Sequence, residues 1–245
     1  MNKVMIIIPA KGYSDRLANK NMQEVNGKTL VQLAVDRSLA SEVGDVFITS
    51  DDREIRKKLE KDNSNIVCVR RPSYMGGKTL RVGETILHTI ELYGKGYNTF
   101  IMTLPTSPLA IAEDIKDAYK MFLKNKRKHP IMGVTKEVGN SNLLMKKHRK
   151  DRDYLDPACG YENIITAIEY DCNYSFRCNG AVYICDIERF KKQDSFFVEK
   201  MLGYEMPSDR GLDVNTQYDL DVARFLANKK DMLDYYRLIG GEKDG

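Results

Sequence analysis

Val4–Asn21, VMIIIPAKGYSDRLANKN, decides how the rest of this chain is read. Five consecutive apolar residues, Val4 to Ile8, empty at once into Pro9, Gly12 and a crowd of small polar and basic residues. That is the pattern of a buried parallel strand ending in a functional loop. Lys11, Ser14, Arg16, Lys20 and Asn21 fall within eleven residues. Cationic and hydroxyl donors at that density, with a glycine that allows close backbone approach, suit a polyphosphate. Neither the G-x-x-x-x-G-K-[ST] spacing of a Walker loop nor a G-x-G-x-x-G fingerprint is present. The alternative reading is a solvated basic loop beyond an edge strand.

Downstream, strand and helix patterns alternate. TLVQLAVDRSLA carries Leu30, Leu33, Ala34 and Leu39 at helical spacing, DVFITS reads as a strand, and REIRKKLEKD reads as a helix that Asp51 and Asp52 are placed to cap. NIVCVR, a helix with Val82, Ile86 and Ile90, the strand NTFIMT, and a helix with Ile115, Ala118, Met121 and Phe122 follow. This alternation predicts an α/β fold with a mostly parallel sheet, helices on both faces, and ligands beyond the carboxyl ends of the strands. After PIMGVTK, residues Gly139 to Tyr170 lose clear periodicity over a length unusual for a loop, and read as a protruding arm. The pattern returns at FRCNGAVYICD, then IERFKKQ, then a last helix with Leu220, Ala223 and Leu226 on its inner face; Asp213, just before it, either caps that helix or holds a metal.

The 245 residues suit one domain, and 39 basic against 35 acidic residues give a charge of +4, too balanced for bulk nucleic-acid binding. Five cysteines without a C-x-x-C pair argue against a disulfide framework or a zinc knuckle, and no run approaches membrane-spanning length. The opening residues do not form an export signal, so the expected location is the cytoplasm. Lys124 to His129 reads as a solvated helix end.

Seven ordered motifs then resemble the acylneuraminate cytidylyltransferases, which make CMP-sialic acids, and their relatives for other 2-keto sugar acids. The first loop matches at Pro9, Ala10, Lys11, Gly12, Ser14, Lys20 and Asn21, a Gly-Lys turn at Gly27, Lys28 and Leu30, and a strand end at Thr49 to Asp52. Arg71–Pro72 precede a helix histidine, His88, read here as packed and not chemical; Pro105–Leu109, Asn179–Tyr183 and Asp213–Thr216 complete the set. The resemblance implies a three-layer, Rossmann-like nucleotidyltransferase fold of the glycosyltransferase-A-like kind, one domain over residues 1–245, with 139–170 as a dimerisation arm in a homodimer. It implies transfer of CMP from CTP to a nonulosonate, with Mg2+ as helper. Lys20 and Asp213 would be catalytic. Lys11, Gly12, Ser14, Arg16, Lys20, Asn21 and Arg71 would bind the nucleotide, and Asp213 and Asn215 the metal. Thr106, Ser107, Arg177, Asn179, Tyr183, Phe196 and Phe197 would line the sugar pocket, the aromatics being equally readable as core.

The chain departs from the family pattern at that site. Lys11 replaces an arginine, Asp15 a lysine, Leu104 a glutamine, Ala110 an arginine, Lys78 an aspartate, and Asn215 the second metal carboxylate. Two further readings therefore stand beside the first: a nucleotidylyltransferase for another sugar, such as a 3-deoxy-octulosonate, and a catalytically silent binding or partner subunit of the same fold.

Overall fold

The computed structural model describes residues 3–76, 81–137, 145–147, 155–157 and 175–228. From the N-terminus the chain forms β1 (Val4–Pro9), a small hairpin of β2 (Glu24–Val25) and β3 (Lys28–Thr29), α1 (Leu30–Ser41), β4 (Asp45–Ser50) and α2 (Arg53–Asp62). Then come β5 (Ile66–Arg70), α3 (Val82–Tyr93), β6 (Thr99–Met102), α4 (Ala112–Lys124) and β7 (Ile131–Glu137). The short antiparallel pair β8 (Met145–Lys147) and β9 (Leu155–Pro157) precedes β10 (Ser175–Asp186), α5 (Ile187–Gln193), β11 (Leu202–Met206) and α6 (Gln217–Ala227).

Seven strands build the main sheet in the order β11-β7-β10-β6-β1-β4-β5. β1 is flanked by β4 and β6, both parallel to it, and β5 extends the parallel run. β10 alone runs against its neighbours, β6 and β7. The apolar run of β1 explains the layering. Its alternate side chains enter opposite cores: Val4, Ile6 and Ile8 pack with α1, α2 and α4, whereas Met5 and Ile7 pack with α3 and α5. None of the five is more than 2% exposed, and each contributes about 1.5–3 kcal/mol by leaving water. The result is the expected sheet between two helical layers.

A third apolar cluster matters more for the site. Leu17 from the loop after β1 packs with Val25, Leu30, Val214, Leu220 and Ala223, so α6 and the segment before it are fastened onto that loop.

Several details differ from the sequence reading. Asp52 caps α2, accepting from Glu54 N at 2.7 Å and Ile55 N at 3.2 Å, but Asp51 caps nothing and serves an ion pair described below. Asp213 is not a cap either, because Thr216 and Asp219 form a reciprocal capping box at the start of α6. Of the apolar residues read on the third helix, Ile86 and Ile90 are buried, whereas Val82 is 42% exposed at the first position of α3. The hairpin and β11 add to the expected strands. Most of the proposed arm, residues 139–170, lies outside the described residues, as does Lys78.

Candidate active site

The loop after β1 is held at both ends. Gly12 N donates to Asp51 Oδ1 at 3.2 Å, and a Cβ on Gly12 would come within 2.8 Å of the Asp52 Cβ, so only glycine fits where the loop crosses the end of β4. Farther on, Lys20–Met22 form a 3₁₀ turn, from which the buried Asn21 donates Nδ2 to the carbonyl of Lys11 at 2.7 Å. The turn thereby returns Lys20 beside Lys11.

Arg71, 5% exposed, follows β5 and forms the floor of the site. Its Nη2 donates to Asp51 Oδ1 at 2.7 Å and its Nη1 to Thr85 Oγ1 at 3.1 Å. One carboxylate oxygen thus receives both the loop amide and the guanidinium. Burial pushes the Asp51 carboxyl up, but bonds from Arg71 and from backbone amides, including that of Gly12, outweigh it and hold the pKa below its ordinary value. A depressed carboxylate contributes stability that is present above the unfolded pKa, near 3.9, and is lost as pH falls through the lower folded one. Asp51→Ala is expected to destabilise by about 1–3 kcal/mol, because it strands the buried guanidinium. Urea midpoints should show that loss at pH 7, and it should shrink on acidification below about pH 4. An undiminished loss there would contradict the pairing.

Lys20 meets the segment before α6. Its Nζ donates to Val214 O at 3.2 Å and to Asn215 Oδ1 at 3.3 Å, while Arg16 Nη2 donates to the same Asn215 oxygen at 2.8 Å. The Asn215 amide nitrogen in turn donates to Asp213 Oδ2 at 2.6 Å. Two cations, one amide and one carboxylate therefore form a chain of contacts. Burial is the strongest influence on Lys20 and lowers its pKa; Asp213 opposes this, and Arg16 and Lys11 add to it. A positive charge kept in poor solvation beside two other cations is primed to receive an anion.

Two features aim that segment. Arg210 grips the buried Asp114 of α4 with a fork, Nε to Oδ2 at 3.2 Å and Nη2 to Oδ1 at 3.0 Å, and Val214 N donates to Thr106 O at 2.7 Å. Between them, a Cβ on Gly211 would fall 1.9 Å from Thr135 Oγ1, so the backbone passes where no side chain fits. Gly211→Ala is expected to lower stability by about 1–3 kcal/mol through overpacking. Combining it with Thr135→Ala should restore part of the midpoint in a denaturant titration.

Lys11, Lys20, Asn21, Arg71 and Thr106 line one cleft of about 220 Å³ with Pro9, Leu104, Pro105, Met75, Val82 and Thr85. Ser14 is half-buried and Arg16 exposed on the same loop. Of the expected sugar-side residues, Thr106 reaches the cleft, and Tyr183 lies within the field of Asp213; burial first, then Cys178 and Asp213, push its hydroxyl up to about 12. Ser107 and Asn179 spend their side chains inside the protein: Ser107 Oγ donates to Asn179 O at 2.9 Å, and Asn179 bonds Thr135, Met206 and Ala181. Phe196 is core, its ring 4.9 Å from Phe190 and 5.1 Å from Tyr183, whereas Phe197 is 64% exposed. Arg177 is exposed near Asp219. Asp51, Thr85 and Met75 belong to the site without having been singled out for it. Pro9, Leu104 and Pro105 of the cleft wall fall in or beside the motifs quoted from the sequence.

A family model described as cytidylyltransferase matches residues 5–178, from β1 into β10. The chain belongs to the cytidylyltransferase family. Among curated proteins it is 25% identical to an N-acylneuraminate cytidylyltransferase of Escherichia coli over 97% of this chain and 55% of the relative. It is 24% identical to a pseudaminic acid cytidylyltransferase of Campylobacter jejuni over 91% of this chain and 96% of that one. The chain thus spans little more than half of the first relative and nearly all of the second. Among solved structures, a CMP:2-keto-3-deoxy-manno-octonic acid synthetase complexed with CTP superposes with a TM-score of 0.69 at 14% identity, covering 94% of this chain and all of that one. That likeness confirms the three-layer, Rossmann-like cytidylyltransferase fold.

For a cytidylyltransferase, the placing of the departures is informative. Lys11 keeps its charge in the cleft, Asp15 is exposed outside the cleft lining, and Leu104 supplies an apolar wall. No helix among the described residues is long and apolar enough to cross a membrane.

Proposed function

We propose that this chain transfers the CMP group of CTP to the hydroxyl on the anomeric carbon of a 2-keto sugar acid of the nonulosonate class, releasing pyrophosphate. The observation that carries the reading is the meeting of Lys11, Lys20 and Arg71 in one cleft, with Lys20 bonded to the Val214–Asn215 backbone and side chain. Two curated relatives, matching 97% and 91% of the chain, are named for N-acylneuraminate and for pseudaminic acid.

In such a reaction the sugar hydroxyl attacks the α-phosphorus and gives up its proton to solvent, the bond from that phosphorus to the bridging oxygen breaks, and pyrophosphate leaves. The protein's work is placement and charge neutralisation. Lys11 and Lys20 would face the triphosphate, Asn21 holds the loop in register, and Arg71 with Thr85 forms the floor beneath the base. Pro9, Val82 and Leu104 would supply the apolar part of the cleft wall.

Magnesium brought in with the triphosphate would be held here by few protein ligands, and the Asn215 oxygen would have to be released by Arg16 and Lys20 as these turn to the phosphates. Asp213 offers one carboxylate and Asn215 a neutral oxygen, and no cluster of three or more His, Cys, Asp or Glu side chains occurs among the described residues. The remaining ligands would be phosphate oxygens and waters, and the ion would neutralise charge on the phosphates.

The silent-subunit reading is favoured by one observation: the side chain of Asn215 is fully engaged by the protein itself, its oxygen accepting from Arg16 and Lys20 and its amide nitrogen donating to Asp213. Pyrophosphate release, measured for each NTP against a panel of 2-keto sugar acids with magnesium, separates the two. CTP with a nonulosonate should give the highest rate. Release with no acid in the panel would move the assignment to the silent subunit, and preference for a 3-deoxy-octulosonate would move it to the other sugar class.

A further inference from the structure

Beside the cleft lies a second concavity, of about 480 Å³, lined by Arg53, Arg56, Arg70, Arg71 and Asp51. It opens at the carboxyl ends of β4 and β5 and the first turn of α2, and shares Arg71 and nothing else with the cleft lining. Four arginines and a single carboxylate line it. The carboxylate is already committed, since Asp51 Oδ1 receives both Arg71 Nη2 at 2.7 Å and Gly12 N at 3.2 Å.

The four arginines divide into two kinds. Arg71 is buried and fixed by Asp51 and Thr85; Arg56 is half-buried and fixed by two main-chain oxygens, its Nη1 donating to Ser50 O at 2.6 Å and to Asp52 O at 3.1 Å. These two are held in place before any ligand arrives. Arg53 and Arg70 are exposed, and among the described residues their guanidinium groups have no hydrogen bond or ion pair. Two fixed and two adjustable forks around one concavity match an anion with several oxygens on more than one centre, because guanidinium pairs bidentately with phosphate. Like charges brought this close repel, and the repulsion is relieved when such an anion enters.

We infer that this arginine-lined concavity is a second anion site, separate from the nucleotide cleft, that takes an inorganic oligophosphate of the pyrophosphate type. It would hold such an anion whichever nucleotide the cleft accepts.

Inorganic pyrophosphate, without nucleotide or metal, is the probe. Calorimetric titrations at low ionic strength compare the Lys11→Ala/Lys20→Ala protein, whose cleft has lost its two lysines, with the same protein also carrying Arg53→Ala and Arg70→Ala. Because Arg53 and Arg70 are exposed and bond nothing described, the added substitutions should leave the melting temperature unchanged. The expected result is saturable binding to the first protein, weakened at least tenfold in the second, with affinity falling as salt is raised. Absence of binding to the first protein would overturn the inference, since pyrophosphate would then have only the cleft. Equal binding to the two proteins would overturn it as well.

Discussion

Lys20→Ala is expected to reduce pyrophosphate release from CTP by on the order of a hundred- to a thousandfold, the scale of removing a group aimed at transition-state charge. The argument is geometric before it is electrostatic. Lys20 sits in a turn that Asn21 locks against Lys11, and its ammonium reaches the backbone of Val214 and the side chain of Asn215. Arg16 reaches the same Asn215 oxygen at 2.8 Å, but it is exposed and outside the cleft lining, whereas Lys20 is part of it. Burial lowers its pKa, so the ammonium is poorly solvated in the free protein, and a bound triphosphate stabilises its charged form. Two further results follow. Triphosphate binding in alkaline buffers should take up protons, seen as a dependence of binding heat on buffer ionisation enthalpy, and Lys20→Ala should abolish that uptake. Lys20→Arg should restore charge but not rate, because the larger planar fork cannot make both contacts in the same space. Retention of CTP turnover within about tenfold in the alanine variant would remove Lys20 from the reacting site.

How far the sequence discloses this site depends on which contacts are local. The β1 run and its exit loop were legible, because burial on both faces demands consecutive apolar residues and the donors follow immediately. Asp52 was legible as a cap, since a cap serves amides two and three residues on. Asp51, its neighbour, was misread for the opposite reason: its partner Arg71 lies at the end of a different strand, and only the parallel pairing of β4 with β5 brings them together. Strand β11 was hidden because Leu202–Met206 lies on the sheet edge, with Gly203 and Glu205 interrupting any apolar signal. Phe196 and Phe197 are adjacent yet fall in core and solvent, a distinction set by the packing of Phe100, Phe190 and Tyr183 and by nothing in the dipeptide. Residues of the quoted motifs, among them Pro9, Lys11, Lys20, Asn21, Arg71, Pro105 and Thr106, line one cleft. The motifs did not disclose that Asn179 and Ser107 are spent on internal bonds.

Asp213→Ala should lower turnover by on the order of a hundredfold if the chain is an active transferase, comparable to losing a major electrostatic group. With α6 capped by Thr216 and Asp219, little helix stability should be lost along with it. The companion variant, Asn215→Asp, tests the same corner from the other side. Asn215 now donates its amide nitrogen to Asp213 at 2.6 Å, a bond that a carboxylate cannot make. The substitution would set two carboxylates against each other, while Arg16 and Lys20, already bonded to the Asn215 oxygen, would attract the new charge. Magnesium relieves the repulsion by accepting both carboxylates, so the variant should require less magnesium for half-maximal rate and melt at a temperature that rises with magnesium more steeply than in wild type. In the silent-subunit reading neither substitution changes pyrophosphate release, and Asn215→Asp alters only how the melting temperature responds to magnesium. A magnesium series on wild type, Asp213→Ala and Asn215→Asp therefore gives opposite patterns for the two readings. Wild-type turnover that is independent of magnesium, or equal in Asp213→Ala, removes the metal role from Asp213.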